Sequence, residues 1–215
     1  IGVAREVAAL TGAKVKTPSA QKVKAIAQGG AGVKIKVEER GLCPRYTARV
    51  IRNVKVLESP AWLKERIEAM GLRSVNNIVD ITNYCLFETG GPMHAFDLDK
   101  LAGGEVMVRK ALPGEKIVSI EGSEKILDSS MLVIADGKKP IAIAGVMGAL
   151  NTEVTQSTRN ILLEAACFDQ VSVRRTSRKL AIATESSYRF ERRVDIDNIV
   201  YASDRALGLI IKLAS

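Results

Sequence analysis

Apolar residues begin this chain at helical spacing, give way to alternation in the middle and return to helical spacing at the end. Residues 3–12 (VAREVAALTG) read as a short helix closed by Gly12. From Lys14 to Arg40 lysines alternate with small residues, among them Pro18, Gly29, Gly30 and Gly32, a linker-like pattern until VKIKVE (33–38) alternates as a strand does. Residues 45–57 (RYTARVIRNVKVL) predict another strand. AWLKERIEAM then predicts a helix, with Ser59 as N-cap, Pro60 in the first turn and Gly71 past its end. Its Trp62, Leu63, Ile67 and Met70 recur at helical spacing and are expected in the core.

Asn76–Thr89 carries Ile78, Val79, Ile81, Cys85 and Leu86, which suggests a buried helix ending near Gly90-Gly91-Pro92. Residues 105–165 read as short strands (VMVRK, KIVSI, MLVIAD, IAIAGVMG, ILLEAACF) with turns at Gly122-Ser123 and Gly137-Lys138. Two helices close the chain, at roughly 170–181 and 195–214. Helices before and after a run of strands argue for an α+β fold, a mixed or mostly antiparallel sheet of short strands flanked by helices. The expected division is a lead-in helix and basic linker over 1–40, a core over 41–195 and a C-terminal helix over 196–215.

Composition narrows the class. With 215 residues and 47% hydrophobic content, a substantial core is affordable and extensive disorder is excluded. The longest weakly polar stretch, Pro140–Leu150, is far short of a membrane span, so a soluble chain with no membrane partner is expected. No signal peptide is visible, and a first residue of Ile1 suggests a piece of a longer chain. Three scattered cysteines (Cys43, Cys85, Cys167) suit a reducing, cytoplasmic compartment. With one histidine and no cysteine pair, no metal site is expected, and a Ser-His-Asp triad would have only His94 as its base.

Charge is unevenly spread. Residues 1–60 hold twelve Lys/Arg against four Asp/Glu, whereas residues 61–215 hold twenty of each, so the whole net charge of +8 sits on the first part. A second cluster, Arg174 to Arg193, sets seven Lys/Arg against Glu185 and Glu191. Two basic regions around a neutral core suggest a polyanion such as nucleic acid, and a solvated lysine-rich linker accounts for them equally well.

Four segments could carry chemistry. His94, in Gly90–Asp97, is beside a Gly-Gly-Pro turn and could orient a water or hydroxyl; bonding a backbone carbonyl is the plainer role. Glu164 is a carboxylate inside the apolar run Ile161–Phe168, costly to bury unless it is hydrogen-bonded. Alternation puts Leu162, Glu164 and Ala166 on one face, which leaves either a pocket or an edge strand with Glu164 in water. Ala144–Ala149 matches neither nucleotide-loop pattern, yet Gly145 and Gly148 can bring backbone N–H groups close to a ligand. Thr184–Asp195 mixes hydroxyls, aromatics and arginines, suited to a sugar-phosphate end with a stacked base or to a salt-bridged surface turn.

Together these segments resemble the beta chain of bacterial-type phenylalanyl-tRNA synthetases. The resemblance lies in Asn77–Tyr84 with Gly90-Gly91-Pro92-Met93-His94-Ala95-Phe96-Asp97, then Ala144–Gly148, Asn160–Phe168 and Arg189–Arg192, in the family's order, and Ile1–Gly12 is similar to the family's lead-in. It implies that family's editing region, where tyrosine wrongly attached to the phenylalanine tRNA is hydrolysed off. By position it implies that Glu164 recognises the tyrosine hydroxyl with backbone groups near Gly145–Gly148, that His94 and Arg73 lie near the ester, and that Thr184 and Ser186 line the pocket. It further implies tRNA and the synthetase alpha subunit as partners, no DNA, and ATP and magnesium only at the alpha chain's site, with no cofactor in this fragment. A tRNA- or alpha-subunit-docking module without catalysis is the alternative. The chain departs from the family at Gly91 (usually glutamine), Ala149 (glycine), Arg193 (glycine) and Ile196 (proline). The last two are expected to alter the turn after Arg192, and Gly91 to change the surroundings of His94.

Overall fold

A computed structural model describes residues 1–20 and 32–215; residues 21–31, the middle of the basic lead-in, lie outside the described residues. Helix α1 (Gly2–Thr11) ends on Gly12 at φ 70°, the left-handed conformation that costs glycine nothing. Strand β1 (Lys34–Val37) follows, and β2 (Arg45–Ile51) stops six residues short of the expected end, although Val54 and Val56 beyond it are still buried. Helix α2 (Ala61–Ala69) is capped at Pro60 and not at Ser59, whose hydroxyl instead donates to buried Asp80 at 2.6 Å. Leu63 and Ile67 are fully buried as expected. Trp62 is not a core residue: it is 40% exposed, edge-on to Tyr84, and Met70 is only partly buried.

Helix α3 (Asn77–Thr89) starts where Asn76 accepts from the Val79 N–H and stops at Gly90 (φ 80°). The chain turns into β3 (Met93–Asp97), then β4 (Glu105–Lys110), the hairpin β5 (Lys116–Val118) and β6 (Glu124–Ile126), β7 (Leu132–Ala135), β8 (Pro140–Ile143), the two-residue β9 (Met147–Gly148) and β10 (Ile161–Cys167). Helices α4 (Gln170–Leu180), α5 (Glu185–Phe190) and α6 (Asn198–Ala214) complete it. Strands β3 and β6 and helix α5 were not expected. β3 hides because Ala95, Phe96 and Asp97 are buried in succession, which erases alternation.

Two sheets carry the fold. One has five strands in the order β1-β4-β7-β8-β9, antiparallel except for the parallel pair β1–β4; the other is antiparallel β2-β10-β3. The expected α+β class with mostly antiparallel pairing is what forms. β10 is the middle strand, so its backbone is paired on both sides and all seven of its residues are buried. Its two faces serve different cores. Leu162 and Ala166 pack with Phe96 and the five-stranded sheet, whereas Ile161 and Leu163 pack with α2, α3 and α6.

The departures at Gly91 and Arg193 have specific settings. A Cβ on Gly91 would lie 3.0 Å from that of Ala202, so this position abuts α6 and not His94. Arg193 makes its turn at φ 74°, in the region that favours glycine, so the chain keeps a glycine-like turn there without the glycine.

A candidate ligand cavity between the two sheets

A cavity of about 320 Å³ lies between the sheets, at the lower end of the size range of small-molecule sites, about 300–1,000 Å³. β10 and β3 contribute Glu164 and His94; β7, β8 and the Gly145–Gly148 turn form the facing wall; α3 and the start of α5 close it, the latter with Thr184, Glu185 and Ser186. Six of the seven residues singled out from the sequence therefore meet in one place. Arg73 does not join them: it is exposed, and its neighbour Leu72 is the lining residue.

Glu164 is on the central strand and 6% exposed, so the edge-strand alternative does not hold. Its register partners are His94 on β3 and Ala48 on β2. Tyr46 Oη donates to Oε2 at 2.7 Å, and Oε1 has no partner among the described residues. Burial pushes the carboxyl up to about 7, opposed by the Tyr46 hydrogen bond. Both its protonated and ionised forms are therefore populated near neutrality.

His94 makes no hydrogen bond to a backbone carbonyl among the described residues, contrary to its plainer sequence reading; its Nε2 is buried and unpartnered. The ring stands edge-on to Phe96 with centroids 4.6 Å apart. Burial pulls it down to about 4, so it is neutral at physiological pH. The ring also dictates Gly148: a Cβ there would sit 2.5 Å from Cε1 and 2.6 Å from Nε2. At Gly145 the backbone is left-handed (φ 70°), and a Cβ would come within 2.9 Å of Val173 Cγ2. Both glycines thus let packed groups approach the turn.

Thr184 and Ser186 reach this turn from α5. Thr184 caps the helix, accepting from the Ser187 N–H, and donates to the Val146 carbonyl at 2.8 Å; Ser186 Oγ donates to the Gly145 carbonyl at 3.3 Å. Their hydroxyls hold the wall in place. The rest of the 184–195 run is salt-bridged, with Arg189 on Glu185 at 2.6 Å and Arg192 on Glu191, while Arg189 also lies over the Phe87 ring. Tyr46 is the member that sequence reasoning missed. Only the β2–β10 register, which sets it diagonally from Glu164, brings it to the site.

Chemically, the cavity offers a mostly apolar chamber with the open Oε1 of Glu164 and a neutral imidazole on one wall, and Glu153 and Glu185 elsewhere in its lining. That set fits a ligand with an apolar body and one hydroxyl.

The B3/4 domain family matches residues 42–215. Across its whole length the chain is 49% identical to the phenylalanine–tRNA ligase beta subunit of Geobacter metallireducens and 52% identical to that of Carboxydothermus hydrogenoformans. It spans 27% of the length of each of these relatives. It is also similar to the crystal structure of an N-terminal fragment of the phenylalanyl-tRNA synthetase beta subunit from Pyrococcus horikoshii, with a TM-score of 0.53 and 13% identity over 99% of this chain and 56% of that one, a likeness of fold alone.

Proposed function

Because this chain belongs to the B3/4 domain family, and the relatives similar to it over its whole length include beta subunits of phenylalanine–tRNA ligase, we propose that its cavity is an editing site that hydrolyses tyrosine from mischarged phenylalanine tRNA. The observation that carries this reading is Glu164, a buried carboxyl with one oxygen open in a mostly apolar chamber. A tyrosine side chain fills the chamber with its ring and donates its phenol hydrogen to Oε1. Phenylalanine leaves that oxygen buried and unpaired. A site built around such a bond rejects the analogue lacking it by about 10⁴–10⁵-fold.

Water attacks the ester carbonyl carbon, the bond to the ribose oxygen breaks, and that oxygen leaves with a proton as free tRNA while tyrosine departs as the acid. His94, neutral and held down to about 4, is too weak a base to carry the proton at pH 7 and serves to orient the water by a hydrogen bond. The substrate's own hydroxyl or amino group is the second anchor for that water. Gly148 lets the imidazole reach its position, and Thr184 and Ser186 keep the opposing turn in place. Arg73, exposed outside the wall, has no part in this scheme. The tRNA acceptor end and the ligase alpha subunit are the partners this reading requires.

The test is the release of tyrosine and of phenylalanine from their esters with the phenylalanine tRNA, comparing the wild type with Glu164→Gln. Tyrosine-selective release that falls by about 10³-fold in the variant is expected. Release of the two amino acids in the same ratio by both proteins would overturn the role of Glu164.

A second reading is a docking module for tRNA or for the rest of the enzyme. It is favoured by α1, which exposes Val3, Val7 and Leu10 along one side and buries none of its residues, and by the basic lead-in. Docking alone would leave tyrosine release indifferent to Glu164.

A further inference from the structure

Glu164 is not alone at its end of the cavity. Tyr46, on β2, is two positions from Ala48 and pairs with Ala166, so it stands diagonally from Glu164 on the same face of the sheet. Ala48 and Ala166, the residues that pair with Glu164 and Tyr46, are small, and the Tyr46 hydroxyl lies 2.7 Å from Glu164 Oε2. A diagonal pair of this kind is within reach of an aromatic side chain. The protein's own phenol thus already makes on one oxygen the bond that the tyrosine substrate makes on the other.

We infer that Tyr46 is a positioning residue for amino-acid discrimination: by occupying Oε2 it turns the Glu164 carboxyl so that Oε1 alone faces the cavity, and by donating a hydrogen bond it favours the ionised form that accepts from a phenol. This rests on the editing reading of Glu164 given above.

Three features support it. Tyr46 is itself held well above the usual tyrosine range by burial and by Glu164, so it remains a donor at every physiological pH. Among the causes acting on Glu164, burial favours the neutral acid and the Tyr46 bond is the one that opposes it. The remaining titratable groups around the carboxyl offer no substitute. His94, across from it on β3, is neutral, and Cys43, before β2, is pushed up to about 12 and stays a thiol. Glu185 of α5, paired with Arg189, and Glu153, which also line the cavity, bring no positive charge to the carboxyl.

Tyrosine specificity then depends on two coupled states of one carboxyl. Ionised, it accepts the substrate's hydroxyl and penalises phenylalanine. Protonated, it penalises phenylalanine less, because a neutral acid left unpaired costs less to bury than an anion.

The discriminating experiment is Tyr46→Phe, which keeps the ring and removes only the hydroxyl, made in the full-length enzyme beside Glu164→Gln. Rates of release from tyrosyl and phenylalanyl tRNA esters are followed from pH 5.5 to 9. Expected is a KM for the tyrosyl ester raised on the order of tenfold with a smaller change in kcat, and a narrower tyrosine-to-phenylalanine ratio. The rise in tyrosine-selective release with pH should move upward by about one unit. In parallel, the Glu164 carboxyl carbon is titrated by NMR, its resonance assigned through Glu164→Gln, and its midpoint should rise in Tyr46→Phe. An unchanged NMR midpoint together with an unchanged pH profile would overturn the inference while leaving Glu164 as discriminator, provided Glu164→Gln abolishes selectivity. Unchanged selectivity in Glu164→Gln would defeat the editing reading itself. Should Tyr46→Phe melt markedly lower, the selectivity ratio, measured below the melt on the folded fraction, still decides: a merely structural loss lowers both rates together, and a preserved ratio overturns the inference.

Discussion

The two faces of β10 follow opposite rules. Toward α2, α3 and α6 it presents Ile161 and Leu163, both fully buried among apolar side chains. Toward the five-stranded sheet it presents Leu162 and Ala166 with Glu164 between them, facing a chamber that the protein leaves unfilled. The same strand and the same backbone pairing therefore serve close packing on one side and a costly, half-satisfied carboxyl on the other. A stable face can hold rigid a face that is not optimised for stability, and the departure from ordinary core rules falls on the side where the editing site is proposed.

Leu163→Ala tests the first face most severely. Truncating a fully buried leucine should cost about 2–5 kcal/mol, read in denaturant melts, while the tyrosine-to-phenylalanine selectivity of the folded protein stays as it was. A loss of selectivity with little loss of stability would erase the distinction between the faces.

Proton linkage sharpens the comparison. Glu164 is raised from 4.5 to about 7 in the folded chain, so the native state binds more protons in that window and stability falls as pH rises through it, by up to about 3 kcal/mol. His94 acts with the opposite sign: lowered from 6.5 to about 4, it makes stability fall as pH drops from 6.5 toward 4. The two largely cancel in the wild type. Glu164→Gln removes the first and unmasks the second, so melts between pH 4.5 and 7 should show the variant gaining stability with pH relative to the wild type. Parallel pH profiles would mean that the carboxyl is not buried as described.

Gly148→Ala should cost about 1–3 kcal/mol, because its Cβ would overlap the His94 ring, and should slow ester release by more than the stability loss explains. Crystallography of the variant would show whether the ring has moved. The smallest effect belongs outside the cavity lining, in the turn after α5: Arg193→Gly relieves a left-handed residue and should stabilise the chain by about 1 kcal/mol in thermal melts, with selectivity unchanged.

Much of this architecture is local in origin and could be read along the chain. Gly12 and Gly90 stop helices because only they take the left-handed turn cheaply, Asn76 opens α3, and alternating or continuous apolar runs mark β1, β4, β7, β8 and β10. The family is carried by short motifs in order, and a carboxylate within ILLEAACF is anomalous in any setting. Other features depend on partners that no local window contains. Whether β10 is an edge or a centre is decided by strands more than 60 residues away in sequence, and the bond between Tyr46 and Glu164 spans 118 residues. The neutrality of His94, the exposure of Arg73 and Trp62, and the loss of Ser59 as a cap to Asp80 belong to the same class. Periodicity and propensity act between near neighbours, so they set elements and their ends. Burial, proton affinity and hydrogen-bond choice are set by whatever surrounds a side chain in space, and for the cavity that surrounding comes into being only when the two sheets close on each other.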